Sequence, residues 1–241
     1  MPPFLYAELS EYYDLIYHWK DYSAEADRLR SILITHSIPD GSTIADVACG
    51  TGSHLVHLAR WYKLIGADQS PEMITLARRK LPDAQLMVRG MADGLNVAPV
   101  SVILCLFSAF GYLISDEEIE LTIAAFASGV VAGGLLILEP WLDPAHFRPG
   151  TAAMHTYDSP DLKLCRSVVT RRENNDIAVL EFHWLIAAAG SPRVAHEVEV
   201  HRLRLLQIDS LLAKLKVAGF RPSFQPTGLT DDRGLIVAVR E

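Results

Sequence analysis

Cysteine is scarce: three residues in a chain of 241, at Cys49, Cys105 and Cys165, each inside an apolar run and none at metal-ligand spacing. An odd and small number excludes a disulfide framework and suits a reducing compartment. Basic blocks are missing as well, and 22 basic against 29 acidic residues leave a formal net charge of −7. Nucleic acid and membrane surfaces are therefore not expected as partners. No apolar run is long enough to span a bilayer; PVSVILCLFSAFGYLI, residues 99–114, comes nearest. The amino-terminal MPPFLYAELSEYYDL has no basic stretch leading into an apolar one, as a secretory signal requires. These absences predict a cytoplasmic protein, and 50% hydrophobic with 21% charged residues is an ordinary globular composition.

What is present is an alternation. Glu8–Leu33 reads as a helix, with Tyr12, Tyr13, Ile16, Ala26, Leu29 and Leu33 at helical spacing and HWKD as its weak point. After the turn Pro39-Asp40-Gly41-Ser42, strands are expected at Thr43–Cys49, Lys63–Asp68, Ala84–Val88, Ser101–Phe107 and Gly134–Glu139. Helices are expected at Ser53–Trp61, Pro71–Arg79, where Ser70 caps, and Asp116–Val131. Near-continuous apolar strands separated by helices predict an α/β fold, a mostly parallel sheet covered on both faces.

The period changes after Pro140. Thr151–Tyr157, Lys163–Arg171, Ala178–Ala187 and Ala195–Leu206 read as strands without helices between them. A helix, Ser210–Ala218, stopped by Gly219, and two strands, Arg221–Gln225 and Gly234–Arg240, follow. The predicted organisation is an α/β core with an amino-terminal helical cover over 1–140, an antiparallel β insertion or lid over 141–206, and 207–241 completing the core sheet.

The stretch that carries chemistry is IADVACGTGSHLVHLARWYKLIGADQS, Ile44–Ser70. Glycines after a buried strand let backbone approach a ligand, and the helix behind them offers free N–H groups. Asp68 closes the next apolar strand, where an acid can accept both hydroxyls of a ribose. A dinucleotide loop wants a third small residue, and Leu55 stands there instead. No Lys followed by Ser or Thr ends the loop, so a triphosphate P-loop is excluded. A ligand with a ribose and no pyrophosphate fits better.

DVACGTG, Asp46–Gly52, resembles motif I of the class I S-adenosylmethionine-dependent methyltransferases. Further segments resemble the N-methyltransferases of nucleotide-linked amino sugars in antibiotic pathways: YYDLIYHWKDYSAEADRL at 12–29, CLFSAFGYL at 105–113, EPWLDPAHFRPG at 139–150, HEVEVHRLRLL at 196–206, and AGF with DRGLIVA near the end. The resemblance implies a Rossmann-like, mostly parallel seven-stranded sheet. It implies S-adenosyl-L-methionine as methyl donor, S-adenosyl-L-homocysteine as product, a small-molecule acceptor, and a homodimer through the antiparallel insertion. It places Ala48, Cys49, Gly50 and Gly52 along the methionine part of the donor and Asp68 on its ribose. Gln69, Ser70 and Met73 would lie beside the adenosine, with Tyr13 and Tyr22 closing over it. Leu106, Phe107 and Ser108 would lie beneath the reacting methyl, and Arg233 would meet a nucleotide diphosphate.

The chain departs from the pattern at Gly90-Met91-Ala92-Asp93, where Met91 takes the slot of an Asp that accepts from the adenine amino group. Either Asp93 serves after a local shift, or backbone beside Met91 and Ala92 meets that group. The segment between YDL and KDY is two residues shorter than the sugar enzymes' pattern, and LLQI stands in place of LFTR.

Methyl transfer from a sulfonium is an in-line displacement, helped by holding the partners collinear and dry. An amine need only arrive unprotonated, whereas an alcohol or catechol calls for a metal or a strong base. FSAFGYL has no acid, and Asp116, Glu117 and Glu118 read as first-turn acids that complement a helix dipole. An amino group is thus the expected acceptor, with no metal. Tyr112 is the first choice for a side chain touching the nucleophile, with Tyr13 and Tyr6 as neighbours. His201 and Arg202 must face opposite sides of a strand, so only one can reach the cleft. Trp141, Phe147 and Trp184 either form a base-stacking wall or join lid to sheet as core. Two other readings stay open: an O- or C-methyltransferase of another secondary metabolite, and a non-catalytic binding protein on the same fold.

Overall fold

The computed structural model describes residues 9–230 and 233–241. The helix expected over Glu8–Leu33 is divided. A 3-10 turn at Ser10–Tyr12 runs into α1 (Tyr13–Ile16), and α2 (Tyr22–Thr35) starts afresh beyond the HWKD stretch. Asp21 makes the new start, its carboxylate accepting from Ala24 N at 2.9 Å.

Then follow β1 (Thr43–Val47), α3 (Ser53–Leu58), β2 (Lys63–Asp68), α4 (Pro71–Lys80), β3 (Gln85–Val88), β4 (Val100–Cys105), α5 (Asp116–Gly129) and β5 (Val130–Leu138). Local chemistry explains the helix ends. Ser70 Oγ accepts from Met73 N at 3.0 Å, Pro71 opens α4, and Arg78, Arg79 and Lys80 close it against the helix dipole. Ser115 and Glu118 form a reciprocal capping box on α5. β5 begins earlier than the Gly133-Gly134 entry suggested, because Gly133 at φ 77° and a register shift opposite Val100–Val102 absorb an irregularity instead of starting the strand.

Four antiparallel strands come next: β6 (Ala152–Asp158), β7 (Leu162–Asn174), β8 (Ile177–Ala188) and β9 (Ala195–Arg204). They are followed by α6 (Ile208–Val217), β10 (Phe220–Gln225) and β11 (Leu235–Arg240).

The strands make two sheets. The first has seven strands in the order β10-β11-β5-β4-β1-β2-β3, parallel except that β11 runs against both β5 and β10. Side chains alternate across it. Ala45, Ile103 and Leu136 enter one apolar cluster with Phe110 and Phe126; Ile44, Leu104 and Ile137 enter another with Leu29, Leu33 and Leu55. Each large side chain so buried contributes roughly 1.5–3 kcal/mol. The second sheet, β6-β7-β8-β9, covers α1 through Leu164, Phe182, Trp184 and Ile186, which pack on Tyr13, Ile16 and Met73. Among the described residues no helix is long and apolar enough to cross a membrane.

Strand order reverses between β1 and β4. A ligand crevice in an open α/β sheet lies outside the carboxyl ends of the strands at such a point.

Candidate active site

Backbone strain marks this crevice. Five non-glycine residues among those described have positive φ, and three of them, Ala48 (62°), Phe107 (53°) and Ser108 (61°), stand just after β1 and β4. Such conformations cost about 1–3 kcal/mol each and persist only where the surroundings enforce them. Glu139, just past β5, does so here. Its Oε2 accepts from Phe107 N at 2.5 Å, while Ser108 Oγ donates to Pro140 O at 3.2 Å. Glu139 is fully buried. Burial pushes its carboxyl up, against the opposing pull of Arg233 and Lys20.

The loop after β1 is shaped around Asp68. Gly50 N donates to Asp68 Oδ2 and Ser70 N to Oδ1, both at 2.9 Å. Gly50 sits at φ 55°, and a Cβ there would project into open space rather than into protein. Gly52 serves packing instead: a Cβ on it would come within 2.7 Å of Leu81 Cδ1 and 3.5 Å of Ala77 Cβ. Asp46 is buried, with Oδ1 unbonded among the described residues. Desolvation, and then the nearby Asp68, push its carboxyl up to about 8. Asp68 is also raised, by burial, although the backbone N–H groups oppose this.

The amino-terminal segment closes the crevice. Tyr13 is buried, and Tyr22 shares a hydrogen bond with it while burial pushes the Tyr22 hydroxyl far up. Behind them Lys20 pairs with Glu25, and His54 Nε2 lies 2.7 Å from Glu25 Oε2. Burial alone would raise Glu25, but the hydrogen bonds from His54 and Lys20 hold it below its ordinary value. Burial also lowers His54, so the group reads as one cation, one anion and a neutral imidazole donating to the carboxylate.

A cleft of about 610 Å³ results, walled by Tyr13, Ala48, Gly50, Asp68, Gln69, Met91, Phe107 and Tyr112. An adjoining alcove of about 330 Å³ adds Tyr22, Cys49 and Leu106. Of the expected donor-binding residues, Gly52, Ser70, Met73 and Ala92 do not line either space, Ser70 being buried as the cap of α4. Gly52 packs against α4, Met73 is buried in the cluster beneath Tyr13, and Ala92 lies beyond Met91 in a 3-10 turn. Asp93 caps that turn, its Oδ2 accepting from Gly90 N at 2.9 Å, while Met91 keeps its place on the cleft wall.

On the acceptor side Tyr112 ends the 3-10 turn Ala109–Tyr112. Its Oη is 2.5 Å from His201 Nδ1. Of the two candidates on β9, His201 faces in and Arg202 faces out, where it pairs with Glu173 at 2.5 Å. Ser108 is buried, and Arg233 lies over the Phe107 and Trp141 rings at 4.9 and 5.9 Å. Phe147 packs with Ala178 and Leu205, and Trp184 is fully buried under the second sheet, so these two aromatics are core. Tyr6 lies outside the described residues.

Residues 44–134 match a methyltransferase domain family. The chain is 34% identical over 236 residues to the dTDP-3-amino-3,6-dideoxy-alpha-D-glucopyranose N,N-dimethyltransferase of Streptomyces fradiae, covering 96% of this chain and 91% of the relative. The chain belongs to the amino-sugar N-methyltransferases. This methyltransferase superposes on Streptomyces venezuelae DesVI with a TM-score of 0.89 at 32% identity, covering 96% of this chain and 98% of the other. CalS10 from Micromonospora echinaspora, an amino pentose methyltransferase solved with S-adenosylmethionine bound, matches at a TM-score of 0.82 and 27% identity over 92% of each chain.

S-adenosyl-L-methionine is accordingly the donor of this N-methyltransferase, and a small-molecule amine its acceptor. The residues present fit that donor. Asp46 lines the alcove with a buried carboxyl oxygen that still lacks a hydrogen-bond partner among the described residues, and the space before Gly50 is one that any Cβ would fill. Sequence reading missed Arg89, Gly90 and Ala109 on the cleft wall, and Asp46, Thr51, Ser53 and His54 around the alcove. Arg89 and Gly90 adjoin Met91 at the strand-3 end, a position from which they could have been inferred.

Proposed function

We propose that this methyltransferase transfers methyl groups to the amino group of a nucleotide-linked amino sugar in an antibiotic pathway, passing through a monomethyl to a dimethyl product. The observation that carries the reading is that Tyr112 shares one cleft with Asp68 and Gly50, so an acceptor at Tyr112 abuts the ligand on the glycine loop. Ala48, Cys49, Gly50, Leu106 and Phe107 hold the methionine part of the donor, Asp68 its ribose, and Gln69 and Met91 flank the adenine. With Asp93 used as a cap, backbone of the Gly90–Ala92 turn meets the adenine amino group. Tyr13 and Tyr22 exclude water. Tyr112 orients the amine, Ser108 lies beneath it, and Trp141 and Arg233 take the nucleotide, the guanidinium meeting a diphosphate.

When bound, the donor supplies an electrophilic methyl on a sulfonium. The protein contributes alignment and a dry, rigid floor at Phe107–Ser108. Residues 141–206 act as the acceptor lid, while 1–140 and 207–241 form the donor-binding body. Two lids pair in a homodimer, a reading supported by the outer face of the second sheet, where Met154 is 63%, Val169 54%, and Val198 and Val200 each 47% exposed. The cysteines are free, which suits the cytoplasm we propose as its location.

The deciding experiment incubates the protein with S-adenosylmethionine and dTDP-3-amino-3,6-dideoxy-alpha-D-glucopyranose and follows mass. Successive gains of two methyl groups are expected, unaffected by EDTA. Transfer to hydroxyl acceptors alone, or loss on chelation, would overturn the reading. For the dimer, Val198→Lys with Val200→Lys should halve the mass seen by light scattering; an unchanged mass refutes that interface.

A further inference from the structure

We propose that Tyr112, His201 and Glu199 form a proton relay that draws the proton from the acceptor's amine, with His201 as the group that stores it. The inference rests on the amine-acceptor reading above.

Tyr112 and His201 share a hydrogen bond, and Glu199 faces the far side of the imidazole at ion-pair distance rather than in a hydrogen bond. Tyr112 lines the cleft, and its Oη stands 2.5 Å from His201 Nδ1. Across the imidazole, Nε2 is 3.3 Å from Glu199 Oε2, and the other oxygen of Glu199 accepts from Trp184 Nε1 at 2.9 Å. Phe182 stands edge-on to the imidazole at 4.9 Å. Glu199 and His201 are 4% and 3% exposed, so the proton's route from the cleft runs through the tyrosine hydroxyl. A carboxylate that accepts at Oε1 and faces Nε2 favours the tautomer with hydrogen on Nε2, which leaves Nδ1 free to accept from the tyrosine.

β9 pays for this arrangement. Residues two apart share a face, so Glu199 and His201 point inward together while Val198 and Val200 point out. That is the reverse of what burial favours, since buried ionisable groups cost free energy unless they are paired. Other ionisable groups also face inward or lie against this surface: His155 and Tyr157 on β6, Arg166 on β7, Glu197 on β9, and Tyr13 and Tyr17 from the amino-terminal segment. Arg166 lies over the Phe182 and Trp184 rings at 4.8 and 5.4 Å. Its charge opposes an imidazolium, which makes the Glu199 carboxylate necessary for one to form.

The step balances. The ammonium proton passes to Tyr112 Oη as the hydroxyl's own proton passes to His201 Nδ1. The amine keeps the electron pair of the broken N–H bond, the tyrosine ends neutral as it began, and His201 becomes an imidazolium facing Glu199. Release of that proton to solvent resets the relay for a second methyl. His201 and Glu199 act through Tyr112 and are positioning residues; Tyr112 touches the acceptor.

Histidine side-chain ¹⁵N spectra of the intact protein, followed across pH with S-adenosylhomocysteine present, test this without an acceptor. The Nε2–H tautomer is expected for His201, and Glu199→Leu, which removes the carboxylate that faces Nε2, should lose that preference. An Nδ1–H tautomer in the unmodified protein, or a tautomer preference that ignores Glu199→Leu, overturns the relay. In kinetics with the dTDP-3-amino sugar, His201→Gln should lower kcat about 100-fold near pH 7 with unchanged S-adenosylhomocysteine affinity. The deficit should shrink as rising pH deprotonates the amine itself. A deficit constant across pH marks a structural role and overturns the relay. Tyr112→Phe, which deletes one oxygen at the cleft wall, gives the same kinetic test if His201→Gln does not fold. No transfer to that sugar by the unmodified protein overturns the acceptor reading, and the spectra still decide the relay.

Discussion

The two sheets treat burial in opposite ways. In the seven-stranded sheet both faces are apolar, and the buried acids Asp46, Asp68 and Glu139 gather at or just past strand ends. In the four-stranded sheet Arg166, Glu199 and His201 lie on the buried face while Met154, Val169, Val198 and Val200 look outward. A buried charge costs several kcal/mol unless it is paired. The first sheet is therefore a rigid stand that confines polarity to one rim, and the second gives up stability across a whole face to keep a polar ceiling. On the reading proposed above, the difference separates a donor site, which needs shape, from an acceptor site, which needs specific polar contacts.

Four measurements would break or sharpen that contrast. Trp184→Ala should be the costliest, because it empties the largest fully buried side chain and takes the Trp184 N–H from Glu199. A loss of about 3–5 kcal/mol is expected, lowering the melting temperature by about 2–4 °C per kcal/mol. A fall of under about 3 °C would show that the ceiling is not packed as described. Gly50→Val should act on the other sheet's rim alone. A β-branched side chain at φ 55° that projects into the cleft should weaken S-adenosylhomocysteine binding by calorimetry on the order of 100-fold. The melting temperature of the ligand-free protein should move little; a matching collapse in stability would make Gly50 a folding residue.

Asp68→Ala should weaken the same ligand by about 1–3 kcal/mol, and retention of full affinity would remove Asp68 from the ribose. The smallest effect is a slope. The Asp46 carboxyl rises from 3.8 to about 8 in the folded protein, so the native state holds that proton more tightly than the unfolded chain. Its contribution to stability is complete below about pH 4 and is lost as pH rises through about 8. Urea unfolding at several pH values should show wild type losing stability relative to Asp46→Asn across that window, and a constant difference would refute the assignment.

The body of the fold was legible because its signals are local. Apolar strands, Ser70-Pro71 and Gly219 each announce themselves within a few residues, and the strand–helix alternation predicted a mostly parallel sheet. Asp68 and Tyr112, named from motif and spacing, share one cleft. What escaped depends on partners distant in the chain. Glu139 is meaningful only through Phe107, thirty-two residues earlier, and His54 only through Glu25, twenty-nine earlier. The choice between His201 and Arg202 was likewise undecidable from alternation, which fixes that they oppose each other but not which face is buried. The break in the helix expected over Glu8–Leu33 falls at the HWKD stretch that was its weak point, where Asp21, the last of those four residues, caps the new helix.

Tyr13 stands in two places at once, on the wall of the cleft and in the apolar cluster with Phe182 and Trp184. Linkage through such a residue runs in both directions by thermodynamic necessity. Whatever free energy a ligand in the cleft gains by steadying Tyr13 is therefore returned as stiffness in the buried face of the second sheet.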